Sequence, residues 1–81
     1  MIRRAKPKNV IGRRVAEGRL NSTPALTQDA LSGKLAAIGV QLDRAGVAKI
    51  ENGHRCVFDY EVEALAKALN VKVEWLFGGE R

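Results

Sequence analysis

Apolar residues recur along this chain at the three- and four-residue spacings of a helix, in short runs separated by turn chemistry. Ile11 and Val15 share one face of a first helix, expected from Asn9, a good N-cap, to about Arg19. The stretch NSTPA, residues 21–25, is loop. Thr27 caps a second helix with Gln28 and Asp29 in its first turn. Leu31, Leu35 and Ile38 form its apolar stripe, and Gly39 supplies a left-handed stop. After the linker VQL, Asp43 caps a third helix over roughly 44–51 whose inward face is only Val47 and Ile50; Asn52-Gly53 ends it. Asp59 caps a fourth helix to Leu69, with Val62, Leu65, Ala66 and Leu69 facing in and Asn70 as the stop. A last short helix, about 73–77, places Trp75 and Leu76 over the core. No useful length of chain alternates as a strand does. The pattern predicts an all-α fold, a compact five-helix bundle.

Composition narrows this further. The 81 residues suffice for one domain with a modest core. Aromatics make up only 5%, while eleven residues are Ala, and small side chains let helices approach closely. No apolar run approaches the ~18 residues of a membrane span and no signal-peptide pattern opens the chain, so a cytoplasmic protein without a membrane partner is expected. Cys56 is the only cysteine and excludes an internal disulfide. MIRRAKPK, residues 1–8, reads as a flexible basic arm, 9–78 as the domain and 79–81 as a tail.

Charge then separates the chain in two. Residues 1–56 hold eleven Lys/Arg against four Asp/Glu, and residues 57–81 three against five. The asymmetry fits a polyanionic partner met by the first two-thirds, and charge alone fits a solvated basic surface as well. The third helix is more informative. Its outer face carries Arg44, Ala45, Ala48, Lys49 and Asn52, small residues beside long cations. A DNA major groove is about 12 Å wide and admits one such helix. Gly46 costs about 1 kcal/mol relative to Ala in a helix interior. Either it removes bulk where the helix enters the groove, or it packs closely against the second helix.

The run LTQDALSGKLAAIGVQLDRAGVAKIENGHR, followed by DYEVEALAKALNVKVEWLF, resembles the lambda-repressor-like helix-turn-helix domain, the XRE or Cro-type family of bacterial and phage regulators. IGRRV opening the first helix, LTQ the second, VAKIENG in the third and EALAKALNV before WLF carry the resemblance over about residues 9–78. It implies a sequence-specific, double-stranded DNA-binding transcriptional regulator of repressor type, its third helix reading the major groove. A homodimer on a two-fold operator is a further implication. Neither a cofactor nor a small-molecule ligand is expected. The alternative is a protein-interaction or antitoxin-like module that keeps the fold without reading bases. Nonspecific or RNA binding is a third reading, disfavoured by the lack of aromatics in the basic region.

Individual residues acquire roles from this. Arg44 and Lys49 are candidates for base edges or phosphates, and Ala45 for a thymine methyl. The resemblance implies that Gln28 contacts a phosphate or braces a reading side chain. Thr27 is a cap first and a phosphate contact second. Asn52 is a phosphate contact, a C-terminal cap, or both. His54 and Arg55 could reach the DNA backbone, and Arg3 and Arg4, with Lys6 and Lys8, could track the groove edge. The family pattern implies that Glu51 pairs inward with Arg19, with Arg14 the alternative. Trp75 is expected to close the core, and Phe77 belongs either to the core or to an exposed dimer patch. Two departures from the pattern stand out. The chain between Leu35 and Val47 is several residues longer, leading us to expect a longer second helix and a wider turn, and Gly18 replaces a larger apolar residue, which should weaken the first helix.

His54, Cys56 and Asp59 lie close in sequence, but a hydrolase also needs a pocket and an oxyanion site that a short helical chain has little room for. One His and one Cys cannot complete a four-ligand zinc site, and there is no P-loop or GxGxxG. No enzyme activity and no metal are expected.

Overall fold

The computed structural model describes residues 6–79. Among these the chain forms five helices and no strand: α1 (Gly12–Leu20), α2 (Gln28–Ala37), α3 (Arg44–Glu51), α4 (Asp59–Leu69) and α5 (Val73–Leu76). The expected all-α five-helix bundle is the observed architecture. Arg3, Arg4 and the last two residues of the expected tail lie outside the described residues.

The helix boundaries follow from local chemistry. The Thr27 hydroxyl accepts from the Ala30 N–H at 2.9 Å, and the Asp43 carboxylate from the Gly46 N–H at 2.7 Å, so α2 and α3 begin where their caps predict. Three helices stop in one way. Gly39, Gly53 and Asn70 take left-handed φ of 88°, 73° and 56° after α2, α3 and α4. The next N–H then folds back onto the last turn, Val40 to Leu35, His54 to Lys49 and Val71 to Ala66. Asn70 is the one non-glycine among them, and replacing it tests the motif. Asn70→Ala is expected to cost about 1 kcal/mol, roughly 5 °C in Tm, whereas Asn70→Gly should melt within a degree or two of the parent.

Four expectations need correction. First, α1 starts at Gly12 rather than next to Asn9. Asn9 still satisfies the helix start, its Oδ1 accepting from Ile11 N–H at 3.1 Å and Gly12 N–H at 2.7 Å, but its amide is held elsewhere, donating to the carbonyls of Ile50 and Arg55. Second, Phe58 rather than Asp59 occupies the cap position of α4, and Glu61 reaches back to its N–H at 2.9 Å. Third, Ile38 falls outside α2, at its C-cap, and is 48% exposed; Leu31 and Leu35 are fully buried. Fourth, α2 is not long: it ends at Ala37, and residues 38–43 form the connection to α3, where Leu42 turns back into the core and its carbonyl accepts from the Ser32 hydroxyl.

Ile11, Val15, Leu31, Leu35, Val47, Ile50, Leu65 and Leu76 form the fully buried centre. α3 packs on both α1 and α2, and α4 closes the other side against α1, α2 and α5. Trp75 is buried, as expected, and explains Gly18. A Cβ at Gly18 would lie 3.2 Å from the Trp75 ring and 3.3 Å from Leu69, so the indole fills the volume that a larger residue in α1 would have taken. The Arg14 guanidinium sits 4.7 Å from the centre of that ring, a cation–π contact. Phe77 is excluded from the core, at 56% exposed. No helix among the described residues is long and apolar enough to cross a membrane.

Candidate functional site

α3 is an unbroken helix that buries Val47 and Ile50 and turns its other side outward. Arg44, Ala45, Lys49 and Asn52 are exposed, and Ala48 is half-buried between them. None of the protein's own described chain covers this ridge. Among the described residues neither Arg44 nor Lys49 has an acidic partner at ion-pair distance. The start of α2 stands beside the start of α3, and Arg19, Thr27, Gln28, Asp29 and Arg44 line one shallow open recess between them. Two helix N-termini and a free guanidinium therefore face a common space, an arrangement that favours anions. Asp29 opposes that preference at one edge.

Of the two readings of Gly46, at the centre of α3's first turn, close packing against the second helix is not what the structure has. A Cβ on Gly46 would meet Leu42 Cδ2 at 3.0 Å and Asp43 Oδ1 at 3.1 Å, with no atom of α2 within 4 Å. The close approach is therefore to the capping turn, not to the second helix. A side chain here would crowd both the cap and the leucine that anchors the connection.

The ridge is held in place by a buried polar cluster at the far end of α3. Arg19 grips Glu51 through two hydrogen bonds, Nε to Oε2 at 2.7 Å and Nη2 to Oε1 at 3.0 Å, with the side chains 13% and 7% exposed. Its third nitrogen donates to the Leu26 carbonyl at 2.9 Å. Gln28 Nε2 donates to Glu51 Oε1 at 3.1 Å. Glu51 thus pairs with Arg19, and Arg14 is engaged by Trp75. These bonds connect α1, the 21–27 loop, α2 and α3 through the Arg19–Glu51 pair. A carboxylate in the last turn of a helix is disfavoured by the helix dipole, so Glu51 owes its place to the guanidinium opposite. The hydrogen bond to Glu51 is the main cause that holds the Arg19 guanidinium above its ordinary range, against the effect of burial. Gln28 braces this carboxylate, not a side chain on the exposed ridge.

Beyond the C-terminus of α3 the expected backbone contacts divide. His54 is exposed, its N–H bound to the Lys49 carbonyl at 2.7 Å. Arg55 instead turns inward, both terminal nitrogens at 3.1 Å from the two oxygens of buried Glu61. That carboxylate also takes the Phe58 N–H, so Arg55 supplies the charge that lets α4 begin on a buried acid. With Asp59 read as the cap, the residue three positions on is Val62, so the spacing did not single out Glu61, and nothing local pointed to Arg55 as its partner. Asn52 occupies the C-cap of α3 with its side chain in solvent, so it is a cap that still faces outward. Part of the expected basic arm is also docked. The Lys8 N–H donates to the Gly53 carbonyl at 2.8 Å, and Pro7 lies where a Cβ on Gly53 would have to go.

His54, Cys56 and Asp59 are all exposed, and the described residues bring no three His, Cys, Asp or Glu side chains into a group that could hold a metal ion. The chain matches no protein-family model and no curated protein.

Proposed function

We propose that this chain is a sequence-specific double-stranded DNA-binding regulator of repressor type, in which α3 enters the major groove and the start of α2 meets the flanking phosphates. The observation that carries this reading is the uncovered ridge of α3, slim and cationic, standing next to the exposed N-terminus of α2. Arg44, at the first position of α3, is the candidate for a guanine edge, a contact worth about 1–3 kcal/mol of discrimination. Ala45 is small enough to meet a thymine methyl. Lys49, Thr27, Asn52 and His54 are assigned to the backbone, where each neutralised phosphate steepens the dependence of binding on salt. Gln28 acts through Glu51, holding α2 and α3 at a fixed separation, and Arg55 holds the turn after α3.

Selection of bound sequences from a random duplex pool tests this directly. A defined consensus is expected, with affinity falling steeply between two salt concentrations. Arg44→Ala should relax preference at one base position, while Lys49→Ala should weaken all sequences alike and lower the salt slope by about one. A uniform loss from Arg44→Ala would remove it from base readout. Absent or salt-insensitive binding would instead favour a protein-interaction module on the same fold.

A further inference from the structure

The loop between α1 and α2, the C-terminal half of α2 and the end of α4 border a cleft of about 630 Å³ that α3 does not share. Small-molecule sites occupy about 300–1,000 Å³. The apolar part of the lining comes from Leu26, Ala68, Leu69 and Val71. Gly18 lines it too, and the Trp75 ring stands 3.2 Å from where a Cβ on Gly18 would be, so the indole lies close behind that wall. The charges at the rim are of two kinds. Asn21 and Asn70, the C-caps of α1 and α4, both line the cleft, so two helices end on it with the electron-rich side of their dipoles. Lys34 of α2 is the one ionisable side chain in the lining, and among the described residues it has no acidic partner at ion-pair distance.

We propose that this cleft binds a short apolar peptide with free termini. Each part of such a molecule has a counterpart in the lining. Its carboxylate meets the Lys34 ammonium, its own ammonium meets the carbonyl ends of α1 and α4, and its side chains cover Leu26, Leu69 and Val71. A simple anion would face two helix ends, and a simple cation would face Lys34, so a molecule carrying both charges fits better than either. Two extended residues hold those charges about 7 Å apart, whereas a free amino acid holds them on one carbon and cannot reach both. No small-molecule ligand was expected from the sequence, because a cleft assembled from three distant segments leaves no local pattern. The cleft also adjoins the support of α3. Leu26 donates its N–H to the Arg19 carbonyl at 3.0 Å and accepts from the Arg19 guanidinium, the group that grips Glu51. The inference does not rest on DNA binding, and its test is made without DNA.

Dileucine with free termini, titrated into the full chain, provides the test. It should change the emission of Trp75, the single tryptophan, with a Kd of roughly 1 mM, and at ten times that concentration raise Tm by about 5–10 °C. N-acetyl-dileucine and dileucine amide, each lacking one charge, should bind about threefold more weakly by isothermal titration. Lys34→Met, which keeps the apolar stem at an exposed position, should weaken the free dipeptide about threefold and leave the amide unaffected. Lys8→Met, an equal loss of charge outside the cleft, should bind as the parent does. No saturable binding up to about 20 mM, equal affinity for the three peptides, or equal effects of Lys34→Met and Lys8→Met would each overturn the proposal.

Discussion

Gly12→Ala is expected to destabilise this protein by about 3 kcal/mol, lowering Tm by roughly 15 °C, because the added methyl has nowhere to go. A Cβ at this position would lie 2.1 Å from the Ile50 carbonyl oxygen and 3.0 Å from that of Glu51. Both are backbone atoms in the last turn of α3, so no rotamer change relieves the overlap. α1 and α3 must separate, and the hydrogen bonds of Asn9 to the Ile50 and Arg55 carbonyls stretch with them. The loss is a large part of what a domain of this size has, since marginal stability amounts to about 0.05–0.15 kcal/mol per residue. Gly33→Ala is the control with the opposite sign. Gly33 lies inside α2, exposed, with nothing within 4 Å of its would-be Cβ, so alanine there should stabilise by about 0.5–1 kcal/mol. Thermal or urea unfolding of the two variants measures both. Equal, small shifts would mean that α1 does not press on α3 as described.

Removing the Glu51 carboxylate should cost about as much. Glu51→Ala is expected to lose about 3 kcal/mol, the lower end for breaking a buried ion pair, since Arg19 keeps the Leu26 carbonyl and some access to water. Gln28 loses its acceptor in the same step. The cost arises from the charge left behind, not from the worth of the pair. Arg19→Met combined with Glu51→Leu should therefore recover much of the stability lost by either change alone, and a double-mutant cycle should show strong coupling. Additive losses would contradict a shared network. The pH dependence has a definite sign. Because Arg19 is held above its ordinary value in the folded chain, its contribution is complete below that value and is lost only as pH rises through the higher one. The effect of Arg19→Met should thus persist undiminished up to strongly alkaline solution. If Glu51 also sets the spacing of α2 and α3, Glu51→Ala should weaken the proposed DNA binding well below the variant's melting temperature, although its carboxylate would touch no base.

Much of this architecture was legible from short-range pattern. Five helices, the caps Thr27 and Asp43, the stops Gly39, Gly53 and Asn70, and the two-residue inward face of α3 all depend on residues within a turn or so of one another. Hydrogen-bonding reach and helical period act over that distance, so the order of residues is enough to determine them. What only the tertiary structure decided lies between distant segments. Asn9 binds the end of α3, Gly12 yields to its carbonyls, Gly18 yields to Trp75, Arg55 turns away from the surface to Glu61, and Leu42 in the connection before α3 turns back into the core. Each of these depends on which surfaces meet when helices pack, and packing is a property of shapes and buried charges brought together from far along the chain.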